Sequence, residues 1–264
     1  MLGGLTGFKP PGANDFGERM INSVATQSIR HLFTRCDWLD VVLRCSPPSK
    51  MLQGTIDSFR MEGRGLVIRK QFEAAEMMFE TDAVSLDAAA LLSGKIRLRQ
   101  PTQAIAQVTL EEDAINRAFE ADLVKQKLQG VDHPDITQLS GGEPVAFREV
   151  MIKLQPNQQV AIAAKTDLPN RKNVPLQMTA TLQVEKRRRV LFANPQFQPE
   201  GIDEALQPLS KALTMAFAGV LNQMVDLDKF NLDGVMLRVN RLETNGNRLV
   251  FSGYAQIDRF PGMG

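Results

Sequence analysis

One segment of the chain alternates between apolar and polar residues with a period of two. Leu176, Met178, Ala180, Leu182 and Val184 take every second position, and polar residues stand between them. Successive side chains of a β-strand point to opposite faces, so this pattern predicts a strand with one buried and one solvated face. Sheets with one wet face are generally antiparallel, because parallel sheets are covered on both sides. The segment therefore favours a fold based on antiparallel strand pairing.

Several shorter segments extend this prediction to much of the chain. Residues 72–80 are compatible with a helix turn or a strand, and the alternation of Ala75, Met77 and Phe79 with their neighbours favours a strand. Asn245-Gly246 is a strong signal for a tight hairpin turn. Glycines within residues 52–68 predict bends, which a strongly curved sheet requires. The remaining predicted strands cover residues 41–43, 96–99, 104–110, 150–154, 160–164, 190–197, 235–242 and 248–257.

Residues 202–226 form the longest segment with apolar residues at helical spacing. Burial of each large apolar side chain is worth roughly 1.5–3 kcal/mol, so the segment predicts a deeply packed helix. Shorter helices are predicted from Asp15 to about Cys36, over residues 86–92, and from the acidic residues 111–113 to about Gly130. The acidic residues suit the first turn of a helix, where the helix dipole favours negative charge.

The order of these elements predicts a single α+β domain over residues 15–258. Residues 1–14 are expected to be a flexible N-terminal segment, and residues 259–264 a short tail. Residues 130–144 are polar and predict a long loop. No stretch rich in proline, serine and glycine divides the chain of 264 residues.

Composition argues against several classes of function. The net charge of +1, with one Trp and one Tyr, indicates neither a nucleic-acid footprint nor a stacking platform for bases. Two cysteines and two histidines at separate places predict no metal site, no cofactor and no catalytic constellation. The least charged stretch, residues 212–225, is shorter than the roughly 20 residues that span a bilayer. We therefore expect a non-enzymatic, cytoplasmic protein that is soluble or peripheral on the inner or an internal membrane.

A basic run lies at the predicted tip of a hairpin. It consists of Lys186, Arg187, Arg188 and Arg189. Such a run is often only a solvated turn, but it can also contact anionic lipid headgroups, where each basic residue contributes about 1 kcal/mol. The four residues are therefore the candidates for contact with an anionic membrane surface.

The chain contains twelve methionines, which fill irregular space and suit surfaces that adapt to varied partners. They are compatible either with ordinary core packing or with a flexible cavity for an acyl chain. The candidates for lining such a cavity are Met77, Phe79, Val108, Leu213, Phe217, Val220 and Leu221.

The segment of residues 86–119 contains a leucine pair, a Gly-Lys pair, a proline, an apolar strand, and a helix start followed by Asn-Arg-Ala. In this order it resembles the bacterial LmeA-like phospholipid-binding family, and residues 52–66 also resemble it. The motifs are Leu91-Leu92, Gly94-Lys95, Pro101, Ala104 to Leu110, Thr109 to Asp113 and Asn116-Arg117-Ala118.

This resemblance implies a tubular lipid-binding fold, in which a strongly curved antiparallel sheet wraps around a long apolar helix and leaves an apolar groove. It also implies binding or transfer of phospholipid or glycolipid at a membrane surface, and it carries no catalytic motif. The alternative is a structural or protein-interaction domain whose sheet encloses only its own side chains.

Overall fold

A computed structural model describes residues 22, 23, 25–27, 29–47, 49–68, 72–92, 97–131, 134–229 and 234–259. The predictions for residues 1–14, Gly94, Lys95, His133 and most of the tail lie outside the described residues. Within them, the chain forms an α+β fold with mostly antiparallel sheets, none of which is closed.

The larger sheet has six strands in the order β1-β3-β4-β6-β12-β11, and every pair of neighbours is antiparallel. Within β3, Gly65 has a left-handed φ of +58°, and a Cβ at this residue would clash with the Asp37 side chain. Only glycine fits there without strain, while the bends predicted from the glycines stay a prediction. The strands are β1 (Arg35–Arg44), β3 (Ser58–Ile68), β4 (Phe72–Thr81), β6 (Thr102–Glu111), β11 (Val235–Asn245) and β12 (Arg248–Ile257).

The smaller sheet has four antiparallel strands in the order β10-β9-β8-β7. Its turns after β7 and after β9 lie at the same end of the sheet, and both dock on β11 of the larger sheet. Gln158 Nε2 donates to the Leu242 carbonyl at 3.0 Å, and the Val239 N–H donates to the Arg187 carbonyl at 2.8 Å. The strands are β7 (Ala146–Leu154), β8 (Gln159–Leu168), β9 (Arg171–Glu185) and β10 (Arg189–Phe197), and a separate pair consists of β2 (Thr55–Ile56) and β5 (Val84–Ser85).

A helical stretch covers described residues between 22 and 30. Six further helices, α1 to α6, and one short 3-10 helix, Leu227–Lys229, accompany the sheets in the described part of the chain. The six helices are α1 (Ser49–Leu52), α2 (Ala88–Leu92), α3 (Glu112–Phe119), α4 (Asp122–Leu128), α5 (Pro134–Leu139) and α6 (Gln207–Met224).

The deeply packed helix predicted over residues 202–226 is α6, and it begins five residues later than predicted. The Asp203 side chain accepts from the Ala205 N–H and holds the preceding residues in a turn. Pro208 then suits the first helical turn, where a missing N–H removes no hydrogen bond. The start of the helix is therefore set by local turn chemistry rather than by the apolar pattern.

Three other predicted boundaries were wrong. Cys36 lies in β1, because the first helical stretch ends near residue 30. The helix predicted to end near Gly130 is two helices, α3 and α4, which are broken at Glu120 and Ala121. The predicted loop at 130–144 contains α5. Short helices such as α4 and α5 carry too few turns to show a clear period in the sequence.

The alternating segment that predicted antiparallel pairing is confirmed as β9. Its apolar residues from Val174 to Leu182 are each 4% exposed or less. They pack against α6, whose Leu213 and Phe217 are 0% and 1% exposed, and the Phe217 ring lies 4.5 Å from that of Phe147. The smaller sheet and α6 therefore form a closely packed core. The strand predicted at 72–80 and the hairpin at Asn245-Gly246 are also confirmed.

Candidate functional site

A cavity of about 400 Å³ lies between the two sheets, at the end of the smaller sheet that docks on the larger one. Eighteen of the nineteen described residues that line it are apolar. This volume is within the range of roughly 300–1,000 Å³ that is usual for ligand pockets, and such pockets are mostly apolar with few polar groups. The cavity is therefore the strongest candidate for a binding site in the described part of the chain.

Both sheets and three helices supply the walls. Alternation along each strand brings the apolar side chains of one face into the cavity, while the polar residues between them face outward. The larger sheet contributes Phe72, Leu110, Leu249 and Phe251. The smaller sheet contributes Ile152, Leu154, Val160, Leu182, Val190 and Phe192, and the helices contribute Ile115, Ala118, Phe119, Leu123, Val124, Lys127, Leu221 and Met224, with Val225 just after α6.

The helix α3 is held in place by its polar residues. The Asn116 side chain donates to the Ile152 carbonyl at 3.0 Å and accepts from the Ile152 N–H at 2.7 Å, as a neighbouring strand would. Glu112 accepts from the Leu154 N–H at 2.7 Å, and Arg117 forms an ion pair with Glu73 of β4 at 2.6 Å. The acidic start and the Asn-Arg-Ala motif therefore fix α3 between the two sheets, where its apolar face lines the cavity.

The helix α4 lies where the cavity meets solvent. Leu123 is 51% exposed although it lines the cavity, and Lys127, one turn later on the same face, is also exposed. Among the described lining residues, Lys127 alone carries a charge. The nearby Lys125 differs, because its ammonium forms an ion pair with Glu120 at 2.8 Å.

The seven residues that the sequence predicted to line a cavity lie in three different places. Leu221 lines the cavity. Leu213, Phe217 and Val220 are buried beside it in the core between α6 and the smaller sheet. Met77, Phe79 and Val108 lie half-buried on the inner face of the larger sheet, in an apolar cluster that meets the cavity wall at Leu110.

The basic run lies at the turn between β9 and β10, and its four residues have different surroundings. Arg188 and Arg238 of β11 both form ion pairs with Asp228 at 2.7 Å, and Arg189 forms one with Asp226 at 3.1 Å. Lys186 and Arg187 are exposed at the tip, with left-handed φ values of 48° and 60°. Two of the four residues therefore join the hairpin to its neighbours, and two point outward.

These ion pairs shift the acids toward their charged forms. Hydrogen bonds from Arg188 and Arg238 lower the pKa of the Asp228 carboxyl below its ordinary value. Burial of Asp226 opposes its ionisation, but hydrogen bonds from Arg189 and from the Asp228 N–H lower the pKa of that carboxyl as well. Both acids are consequently stabilised as carboxylates beside the basic turn.

Other places in the described residues are less suited to an apolar ligand. A cleft of about 450 Å³ on the outer face of the larger sheet is lined mainly by charged residues, including Arg60, Glu62 and Glu80. Cys36 and Cys45 are both buried, and burial raises the pKa of the Cys36 thiol. No group of three or more potential metal ligands occurs in the part of the chain that the structure describes.

Comparison with known families agrees with the apolar character of the cavity. The model of a family described as LmeA-like phospholipid-binding matches residues 12–253. The chain belongs to that family. The LmeA-like match includes α3, α4, α6 and all the described residues that line the cavity. Neither the curated proteins nor the solved structures compared with the chain gave a match. No helix among the described residues is long and apolar enough to cross a membrane.

The LmeA-like resemblance seen in the sequence is thus confirmed, but sequence reasoning missed most residues of the cavity. Ile115 and Phe119 were visible as part of an apolar helix stripe. Leu123 and Lys127 belong to a helix too short to show its own face, and Phe72 and Phe251 reach the cavity only through strand pairing. The sequence did single out Asn116, because it belongs to the Asn-Arg-Ala motif that resembles the family.

Proposed function

We propose that the protein binds a phospholipid by burying an acyl chain in the cavity between its two sheets, and that it catalyses no reaction on this ligand. The observation that supports this proposal best is the nearly uniform apolar lining, which both sheets and three helices supply. Each methylene that leaves water for such a lining contributes roughly 0.8 kcal/mol, so a chain of ten or more methylenes provides substantial affinity. Membership of the phospholipid-binding family supports the same ligand class.

Lipid extraction tests this proposal directly. Protein purified without detergent is extracted with organic solvent, and phospholipid is quantified per protein by mass spectrometry. We expect close to one phospholipid per chain. Consistent absence of lipid, also after incubation with phospholipid vesicles, would favour the alternative of a structural or protein-interaction domain.

A cavity-filling variant locates the ligand. Ala118 lines the cavity from α3, so Ala118→Phe should occupy the space of the acyl chain and lower the bound phospholipid at least several-fold. Ala163→Phe is the matched control, because Ala163 is exposed on β8, on the opposite face from Val160. Unchanged lipid content in a folded Ala118→Phe protein would show that the ligand lies elsewhere.

The proposal includes contact with an anionic membrane through Lys186 and Arg187. Left-handed backbone costs a non-glycine residue of order 1–3 kcal/mol, and glycine or asparagine is the usual choice at such a turn. The chain instead carries two adjacent cations there, both exposed. The tip lies at the same end of the smaller sheet as the cavity, so contact there would bring the cavity close to the lipid surface.

Vesicle sedimentation tests the membrane contact. The variant K186S/R187S should bind vesicles of phosphatidylglycerol and phosphatidylcholine less than the wild type, and the difference should shrink in high salt. R171S/K172S removes the same charge from the opposite end of β9 and should bind like the wild type. Equal loss in the two variants would indicate general attraction rather than contact through the tip.

Further parts of the proposal concern the whole molecule. Residues 15–258 act as one lipid-binding unit in which a strongly curved antiparallel sheet wraps around the long helix α6 in a tubular arrangement, and the bound lipid is a phospholipid or a glycolipid. The protein works from the cytoplasm on the inner or an internal membrane and exchanges lipid with it. Fractionation of native cells, followed by transfer of a fluorescent phospholipid between two vesicle populations, tests the location and the exchange.

A further inference from the structure

We infer that Lys127 selects an anionic headgroup, so that the lipid enters the cavity acyl chain first and leaves its phosphate at α4. This inference rests on the proposed function and adds an orientation and a preference for charge. The site is the junction of an apolar cavity with solvent, where the Lys127 side chain is exposed and lines the cavity at the same time.

The position of Lys127 follows from its helix. Leu123 and Lys127 are four residues apart, so they share one face of α4, and Val124 lies beside them. The apolar stem of a lysine can lie along such a wall while its ammonium reaches water. An acyl chain in the cavity would place its polar end within reach of that ammonium.

The charge balance at the opening favours an anion. The acids closest in the sequence do not neutralise Lys127 in the described structure, since Glu120 is paired with Lys125 at 2.8 Å and Asp122 lies at the other end of the helix. None of the described residues that line the cavity is acidic. A phosphate oxygen can therefore accept a charge-assisted hydrogen bond from Lys127 without displacing a carboxylate from the lining.

The alternative is that Lys127 only keeps the cavity opening soluble. In that case its charge would not distinguish between ligands that carry the same acyl chain. The two readings differ in how affinity depends on the headgroup, which can be measured.

Displacement of the neutral dye N-phenyl-1-naphthylamine provides the test. The competitors are palmitoyl lysophosphatidic acid and monopalmitoylglycerol, which share one acyl chain and differ in the phosphate. We expect Lys127→Met to weaken binding of the lysophosphatidic acid by about three- to tenfold and to change binding of the uncharged lipid less than twofold. Lys127→Glu should weaken the anionic lipid further.

Lys125→Met is the matched control, because it removes the same charge from the same helix at a residue already paired with Glu120. Its affinity for both lipids should remain that of the wild type. Inorganic phosphate alone should not displace the dye, because the charge acts together with the buried chain. Thermal unfolding of each variant checks that the fold is retained.

Three results would overturn the inference alone, and a fourth would overturn the proposed function with it. Equal weakening of both lipids by Lys127→Met would assign Lys127 to packing, and no weakening of either would leave it without a role in binding. Displacement by inorganic phosphate alone would indicate a phosphate site rather than a lipid headgroup site. If neither lipid binds the wild type, the proposed function itself fails, and this inference fails with it.

Discussion

The two sheets of the protein use their apolar faces differently. The smaller sheet is covered by α6, and its central residues, such as Leu176 and Met178, are each 1% exposed. The inner face of the larger sheet is incompletely covered, and Met77, Phe79, Val108 and Leu110 are half-buried there. Where the two regions meet, their side chains leave a cavity instead of interlocking.

This difference suggests how stability and binding are divided in the molecule. A protein interior packs at crystal-like density, so a closely packed sheet has no room for a ligand. A ligand requires apolar surface that the protein leaves without its own partner. In this fold the smaller sheet supplies most of the rigid core, while the larger sheet and the helices α3 and α4 supply the opening.

Two leucine truncations test the division most strongly. Leu213→Ala, in the packed core, should lower the free energy of unfolding by about 2–5 kcal/mol. Leu110→Ala, on the cavity wall, should lower it by about 1 kcal/mol, since this leucine is only half-buried. Urea denaturation measures both changes. Similar losses in the two variants would show that the larger sheet is packed as tightly as the smaller one.

Two asparagines provide a second comparison, with a smaller expected effect. Asn116 bonds the edge strand β7 beside the cavity, and Asn222 accepts from the Phe192 N–H of β10 at 2.7 Å. Replacing either by alanine leaves a buried backbone group unpaired and should cost about 1–3 kcal/mol. Asn116→Ala should also weaken lipid binding, because it frees α3, and Asn222→Ala should weaken it less, because Phe192 keeps its pairing with Leu182 of β9. Equal lipid affinity in the two variants would argue against α3 as a wall of the site.

The smallest expected effect concerns the ion pairs that join the two regions at Asp228. The pKa of this carboxyl is lower in the folded protein than in the unfolded chain, so its stabilising contribution is present above the unfolded pKa. That contribution is lost as the pH falls below about 4 and through the folded pKa. Asp228→Asn should therefore lower the unfolding temperature at pH 7 more than at pH 3, whereas exposed Glu200 replaced by Gln should change it little. Parallel curves for Asp228→Asn and the wild type would contradict this role.

The sequence by itself determined the elements with a strong period and the family. The alternation in β9, the Asn245-Gly246 hairpin and the apolar face of α6 depend on spacing within one segment, and the structure confirms all three. The family motifs were also local, since they lie within 34 consecutive residues, 86–119. Local spacing is sufficient for such features because strand and helix periods are properties of the backbone.

Only the tertiary structure decided which apolar residues form the cavity. Leu213 and Leu221 lie on the same helix and look equivalent in the sequence, yet the first is enclosed in the core and the second lines the cavity. In the same way, Arg187 and Arg188 are neighbours in the basic run but have different surroundings. Arg188 forms an ion pair with Asp228, whereas Arg187 is exposed. The physical reason is that a cavity or an ion pair forms between elements distant in the chain, and their pairing registers are not encoded in the periodicity of any one of them.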